Sequence, residues 1–176
     1  MLSVLFALVL NEWRADAKQR DEADIALNAI KAEIQNNIEG LTRAYSQHKA
    51  IYDTLNYYEK MDEFPPPEIY FEEGLFQPAG LYSTAWETSI QTGTIDEFPY
   101  EMILNLSKIY KDQTQYEQLG GQIVNETYIT LLKQGSNKAL RDNYKNWSVI
   151  ILDFYNREAR LKDKLENILI ELEKKE

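Results

Sequence analysis

"LNAIKAEIQNNIEGLTRAYSQHKAIYDTL", residues 27–55, is the stretch whose reading decides the fold. Leu27, Ile30, Ile34, Ile38, Leu41, Tyr45, His48, Tyr52 and Leu55 recur at spacings of three and four. An α-helix gathers such positions on one side, so the pattern predicts a long helix packed along a single face, with coiled-coil character. Gly40 interrupts the stripe at a cost of about 1 kcal/mol, which so long a helix tolerates. The helix reads backwards without glycine or proline to about residue 3, and forwards to about residue 60.

Its beginning is unlike its middle. "MLSVLFALVL", residues 1–10, carries no charge, and dense charge follows at once. A membrane-spanning helix needs about 20 apolar residues, so this run is too short to be a whole one. A signal peptide would put basic residues before the apolar core and small residues after it. Here the run starts immediately and ends in Asn11-Glu12-Trp13-Arg14. The two remaining readings are a buried amphipathic start and the second half of a transmembrane helix. The second is preferred. Residues 1–12 are expected to be the C-terminal half of a transmembrane helix, and residues 13–176 a soluble helical domain. Trp13 then stands where interfacial aromatics gather, and Arg14 can snorkel to headgroups.

Downstream, "MDEFPPPEIYFEEGLFQPAG", residues 61–80, holds four of the five prolines and must leave the helix as a Pro-rich acidic connection. A short helix is predicted over 81–92, stopped by Gly93. The next begins near Pro99 and runs to Gln134, burying Met102, Leu106, Ile109, Tyr116, Ile123 and Leu131. Gly120-Gly121 predicts a kink or break in its middle. "GSN", residues 135–137, reads as a turn with Ser136 or Asn137 capping the last helix. That helix carries Leu140, Tyr144, Trp147, Ile151, Phe154, Leu161, Leu165, Ile168 and Leu172 on one side. The expected fold is all-α: an elongated antiparallel helical bundle of three long helices and one short one, its N-terminal helix continuous with a membrane anchor.

The chemistry of the chain is narrow. A net charge of −10 without a clustered basic footprint argues against nucleic acid. There is no cysteine, and His48 is the only histidine. A di-iron bundle needs Glu-x-x-His pairs, and a zinc protease needs two histidines; neither pattern is present. The lone histidine lies on an apolar stripe, which reads as a core position. These exclusions predict no catalytic residue, no metal ligand and no cofactor.

Residues 61–100 contain eight acids and no base: Asp62, Glu63, Glu68, Glu72, Glu73, Glu87, Asp96 and Glu97. Tyr70, Phe71, Phe76, Tyr82 and Trp86 stand among them. Glu68, Tyr70, Glu72, Glu73, Tyr82, Trp86 and Glu87 therefore form a candidate surface for a basic partner, or for a small cationic ligand through cation–π contact. The bland alternative is a solvated acidic loop whose rings pin it to the bundle.

Two segments carry a family resemblance. "LSVLFALVLNEWRADAKQRDEADIALNAIKAEIQNNIEGL" and "LYSTAWETSIQTGTIDEFPYEMILNLSKIYKDQTQYE", together under half of the chain, resemble a group of uncharacterised bacterial proteins with a single N-terminal membrane helix. In those proteins an apolar span ends in an Asn-(Glu/Asn)-Trp sequence and continues into a charged helix. The resemblance implies a bacterial inner-membrane anchor with a soluble domain in the periplasm. It implies no activity and no catalytic residue. The expected function is a membrane-anchored, non-enzymatic helical domain for protein interaction or scaffolding. The alternative is a ligand-sensing bundle, which would require a pocket and a homodimer with paired stalks.

Overall fold

The computed structural model describes residues 2–61, 63 and 76–174, and those residues form an all-helical bundle. Four α-helices appear in chain order: α1 (Leu2–Lys60), α2 (Thr84–Thr92), α3 (Tyr100–Gln134) and α4 (Ser136–Glu173). A single 3-10 turn, Thr94–Glu97, joins α2 to α3. The three long helices and one short helix match the sequence reading.

The stripe of α1 is buried as its spacing requires. Ile30, Ile34 and Leu41 are fully inaccessible, with Ala23, Ile38, Ala44, Ile51 and Leu55 beside them. All but Ile51 and Leu55 share one apolar cluster with Met102, Leu106, Ile109 and Tyr116 of α3 and Phe154, Leu161, Leu165, Ile168 and Leu172 of α4. A smaller cluster of Ile51, Leu55, Ala139, Trp147 and Ile151 closes the end nearest the α3–α4 joint. The pairs that fix direction are Lys145 with Glu59, His48 with Glu158, and Lys164 with Asp112. Thus α4 runs antiparallel to both α1 and α3. Contacts of Glu33 with Tyr110 and of Asn37 with Gln113 show that α1 and α3 run parallel to each other.

Two parallel helices need a return path between them. It is made by an extended strap, residues 76–83, leading into α2. Along α1 the strap passes His48, then Gly40, then Asn37, then Glu33; along α3 it passes Gly120, Tyr116, Gln113 and Tyr110. It therefore lies in the groove between α1 and α3, antiparallel to both.

Turn chemistry agrees with backbone geometry at two glycines. Gly93 ends α2 in the left-handed region with φ 75°, and Gly135 separates α3 from α4 with φ 78° and ψ 144°. Any other residue would be strained at either position. The last turn assignment needs correcting: Gly135 holds the N-cap position of α4, and neither Ser136 nor Asn137 caps it, both lying inside the helix. The predicted start of the short helix at 81 also moves to Thr84, because residues 81–83 are still strap.

The expected break at Gly120-Gly121 is a second correction. Both lie within the uninterrupted α3. Gly120 serves close approach: a Cβ there would sit 2.8 and 2.9 Å from two ring carbons of Pro78 in the strap. A Cβ on Gly121 would meet nothing within 4 Å. Gly121→Ala should therefore raise stability by about 0.5–1 kcal/mol through helix propensity. Gly120→Ala should lower it by about 1–3 kcal/mol by overpacking against Pro78. Urea denaturation of the two variants checks this; equal effects would mean that the strap does not press on α3.

Candidate functional site

Laying an extended segment in the groove between two helices creates a hydrogen-bonding problem: Ala79 is buried and Phe76, Pro78, Leu81 and Ser83 are half-buried, while Gln77, Gly80 and Tyr82 reach solvent. The strap has no neighbouring strand, so the amide groups it hides from water must find side chains or remain unsatisfied at about 1–3 kcal/mol each. Three clusters on the bundle solve it.

The first is built on Asn37, fully buried on α1. Its Oδ1 accepts the Tyr82 N–H at 2.8 Å, and its Nδ2 donates to the Tyr82 carbonyl at 2.8 Å. One side-chain amide thus pairs both backbone groups of a residue, as a facing strand would. Gln113 of α3 reinforces it, donating to the same carbonyl at 2.9 Å and accepting from Asn37 at 3.1 Å.

The second is the Glu33 carboxylate, which stands at the start of α2. It accepts the N–H of Ala85 at 2.8 Å and that of Trp86 at 3.4 Å, two first-turn donors that the helix itself cannot pair. The Tyr110 hydroxyl donates to it at 2.8 Å. The Tyr110 ring is stacked on Trp86, with centroids 5.2 Å apart and planes 3° from parallel.

The third lies deeper. His48 and Glu158 are fully buried, and Tyr116 nearly so. Nδ1 of His48 lies 2.9 and 3.0 Å from the two Glu158 oxygens, and the Tyr116 hydroxyl donates to Glu158 at 2.7 Å. That same hydroxyl accepts the strap's Ala79 N–H at 2.8 Å. The other imidazole nitrogen, Nε2, accepts the Gln77 N–H at 3.4 Å. A charged Glu158, a neutral His48 protonated on Nδ1 and a neutral Tyr116 give every donor an acceptor. Although a His–carboxylate pair can orient a general base, Nε2 here faces a backbone amide rather than a nucleophile. Its work is holding the strap.

Burial raises the Tyr110 and Tyr116 hydroxyls well above the ordinary phenol range, with the Glu33 and Glu158 carboxylates adding to the effect; the Ala79 N–H partly offsets it at Tyr116. Glu117 is raised mainly by burial and further by Glu87, while the Leu81 N–H pulls it back.

The residues proposed from sequence are distributed differently. Trp13 is exposed, as is Arg14. Glu68, Tyr70, Glu72 and Glu73 lie outside the described residues. Tyr82, Trp86 and Glu87 do not converge on one pocket: Trp86 is core, Tyr82 projects outward, and Glu87 accepts a hydrogen bond from Ser83 at 2.7 Å. Tyr82 instead borders a groove of about 830 Å³ between α1 and α2, floored by Ala26, Ala29, Ala32 and Ala85. Phe76 packs on Phe154 and pins the strap, as the bland reading of these rings held. Among the described residues no cluster of three or more His, Cys, Asp or Glu side chains could hold a metal ion.

Sequence reasoning missed Glu33, Asn37, Gln113 and Glu158. The signal was available as gaps: the apolar series of α3 jumps from Ile109 to Tyr116 and that of α4 from Phe154 to Leu161. Gln113 and Glu158 occupy those buried steps. No family model, curated protein or solved structure matches the chain.

Because both phenols hold their protons more tightly in the folded state, their stabilisation is complete below about pH 10 and falls as pH rises further. Each should contribute a slope of about 1.4 kcal/mol per pH unit above that point. Tyr110→Phe and Tyr116→Phe should each cost about 1–3 kcal/mol at pH 8 and each reduce the alkaline slope. Urea titrations at pH 8 and pH 10.5 measure both quantities. Unchanged slopes in both variants would contradict the buried-phenol assignment.

Proposed function

We propose that this protein is a membrane-anchored, non-enzymatic helical domain for protein interaction or scaffolding, whose α1 carries the bundle away from a bilayer. The observation that carries the reading is the state of α1 before the bundle begins. It is a single helix from Leu2 to Lys60, yet every residue from 10 to 22 is exposed, and Ala23 is the first buried position after that section. That exposed section is about 20 Å of unsupported helix. Phe6 and Trp13 are 69% and 64% exposed, which an aqueous helix end does not favour and an apolar phase does.

Among the described residues no helix is long and apolar enough to cross a membrane by itself. Residues 2–10 would instead form the bilayer-embedded end of α1, with Trp13 and Arg14 at the headgroup boundary. The family resemblance adds the bacterial inner membrane and the periplasmic side to this proposal. The bundle would then offer its surfaces to a protein partner at a fixed distance. Its polar clusters support this role over catalysis, because each is spent on the backbone of the strap or of the first turn of α2.

Flotation of the full chain with phosphatidylethanolamine–phosphatidylglycerol vesicles tests the proposal. The chain should float with the vesicles and resist an alkaline wash. The double variant Phe6→Glu, Leu10→Glu should partition at least about tenfold less, since two apolar contacts are replaced by charge. If the parent stays in solution and sedimentation shows a dimer that the double variant dissociates, the apolar end is an oligomer interface and the membrane reading fails.

A further inference from the structure

We propose that His48 is a proton-operated latch on the strap: a second proton on its imidazole releases Gln77 from the bundle while the rest of the strap stays docked. The inference rests on the contacts of two ring nitrogens and concerns regulation within the fold, so it stands independently of membrane attachment.

His48 is the only histidine of the chain and is fully buried where the strap enters its groove. Its Nδ1–H is committed to Glu158, which leaves Nε2 as an acceptor for the Gln77 N–H. Protonation turns Nε2 into a donor and sets it against another donor across a 3.4 Å contact. The imidazole is buried but Gln77 is exposed, so a donor set against its N–H breaks the hydrogen bond and the amide turns away to water. The ring has no such reason to move. Its imidazolium remains paired with the Glu158 carboxylate, which is itself held by Tyr116.

The surroundings make the response local. From α4 the group facing the imidazole is Glu158, and from α3 it is the Tyr116 hydroxyl, reached through that carboxylate. Residues 76–81 of the strap contribute no titratable side chain. On α1, Lys49 is turned outward to Asp53, and Arg43 borders the open groove beside Gln77. On the far side of the strap, Glu117 serves the Leu81 N–H. Pro78 follows Gln77 and has no N–H to supply a replacement anchor. The next anchors, Ala79 on Tyr116 and Tyr82 on Asn37, use groups that do not change charge between pH 5 and 8. Release at Gln77 would therefore loosen the face where Pro78 presses on Gly120 without freeing α2.

Nitrogen-15 NMR of the full chain tests the latch without any substitution. At pH 7.5 the imidazole should be the Nδ1–H tautomer. As the pH is lowered while the fold persists, protonation of the imidazole should shift the Gln77 amide resonance in step. Gln77 exchange, corrected for its intrinsic pH dependence, should accelerate by up to about tenfold per unit of acidification above the imidazole midpoint and level off below it. The Tyr82 amide should keep its protection throughout. An Nε2–H tautomer at pH 7.5 would overturn the proposal. So would a Gln77 amide indifferent to imidazole protonation, an imidazole that stays neutral until the fold is lost, or parallel loss of protection at Gln77 and Tyr82.

Discussion

An extended backbone laid in the groove between two helices can persist only if side chains satisfy the amide groups it hides from water, and the rest of this structure depends on that requirement being met. Helices α1 and α3 run parallel, so the chain must return between them, and it does so mostly as a strap. A returning helix would satisfy its own amides. The strap relies on Asn37, Gln113, Tyr116 and His48, with Glu33 taking over where α2 begins. These groups come from α1 and α3, and Glu158 of α4 ties His48 to Tyr116, so docking the strap also fixes the relative positions of the three long helices. Buried polar groups of this kind stabilise only when all are paired, which makes the arrangement specific and intolerant of partial loss.

The fold was legible where burial is apolar. The spacing from Leu27 to Leu55 located α1, and the later stripes located α3 and α4, because a helix that buries one face needs apolar residues every three or four positions. Gly93 and Gly135 marked real boundaries. Glycine was misread where its reason was tertiary: Gly120 is small because Pro78 lies against it, and nothing within α3 announces that contact. The strap itself was legible only as a departure from helix around its prolines.

The site was less legible than the fold for a related reason. Glu33 and Asn37 are residue types usually found on surfaces, and each follows an exposed residue, Ala32 or Asn36, so their polarity looked like surface. What distinguishes them is position: each lies beside Ile30, Ile34 or Ile38 on the buried side of α1. Trp86 and Tyr82 were grouped by closeness in sequence, yet the start of α2 sends one ring inward and the other out. His48 was correctly placed in the core, but its partner Glu158 stands 110 positions away and only packing reveals it. The exposed section of α1 between residues 10 and 22 gives the molecule its second character, an arm continuous with the helix on which the strap is built.

Native-state hydrogen exchange of the strap at neutral pH addresses the central claim most directly. The amides of Ala79 and Tyr82 belong to neither helix nor sheet, and only side chains protect them. They are expected to exchange within about tenfold of the rate at Leu106, fully buried on α3, because losing the strap should cost the bundle its packing. Exchange at Ala79 and Tyr82 as fast as in an unstructured peptide, with Leu106 still protected, would show that the strap is dispensable and would contradict the account.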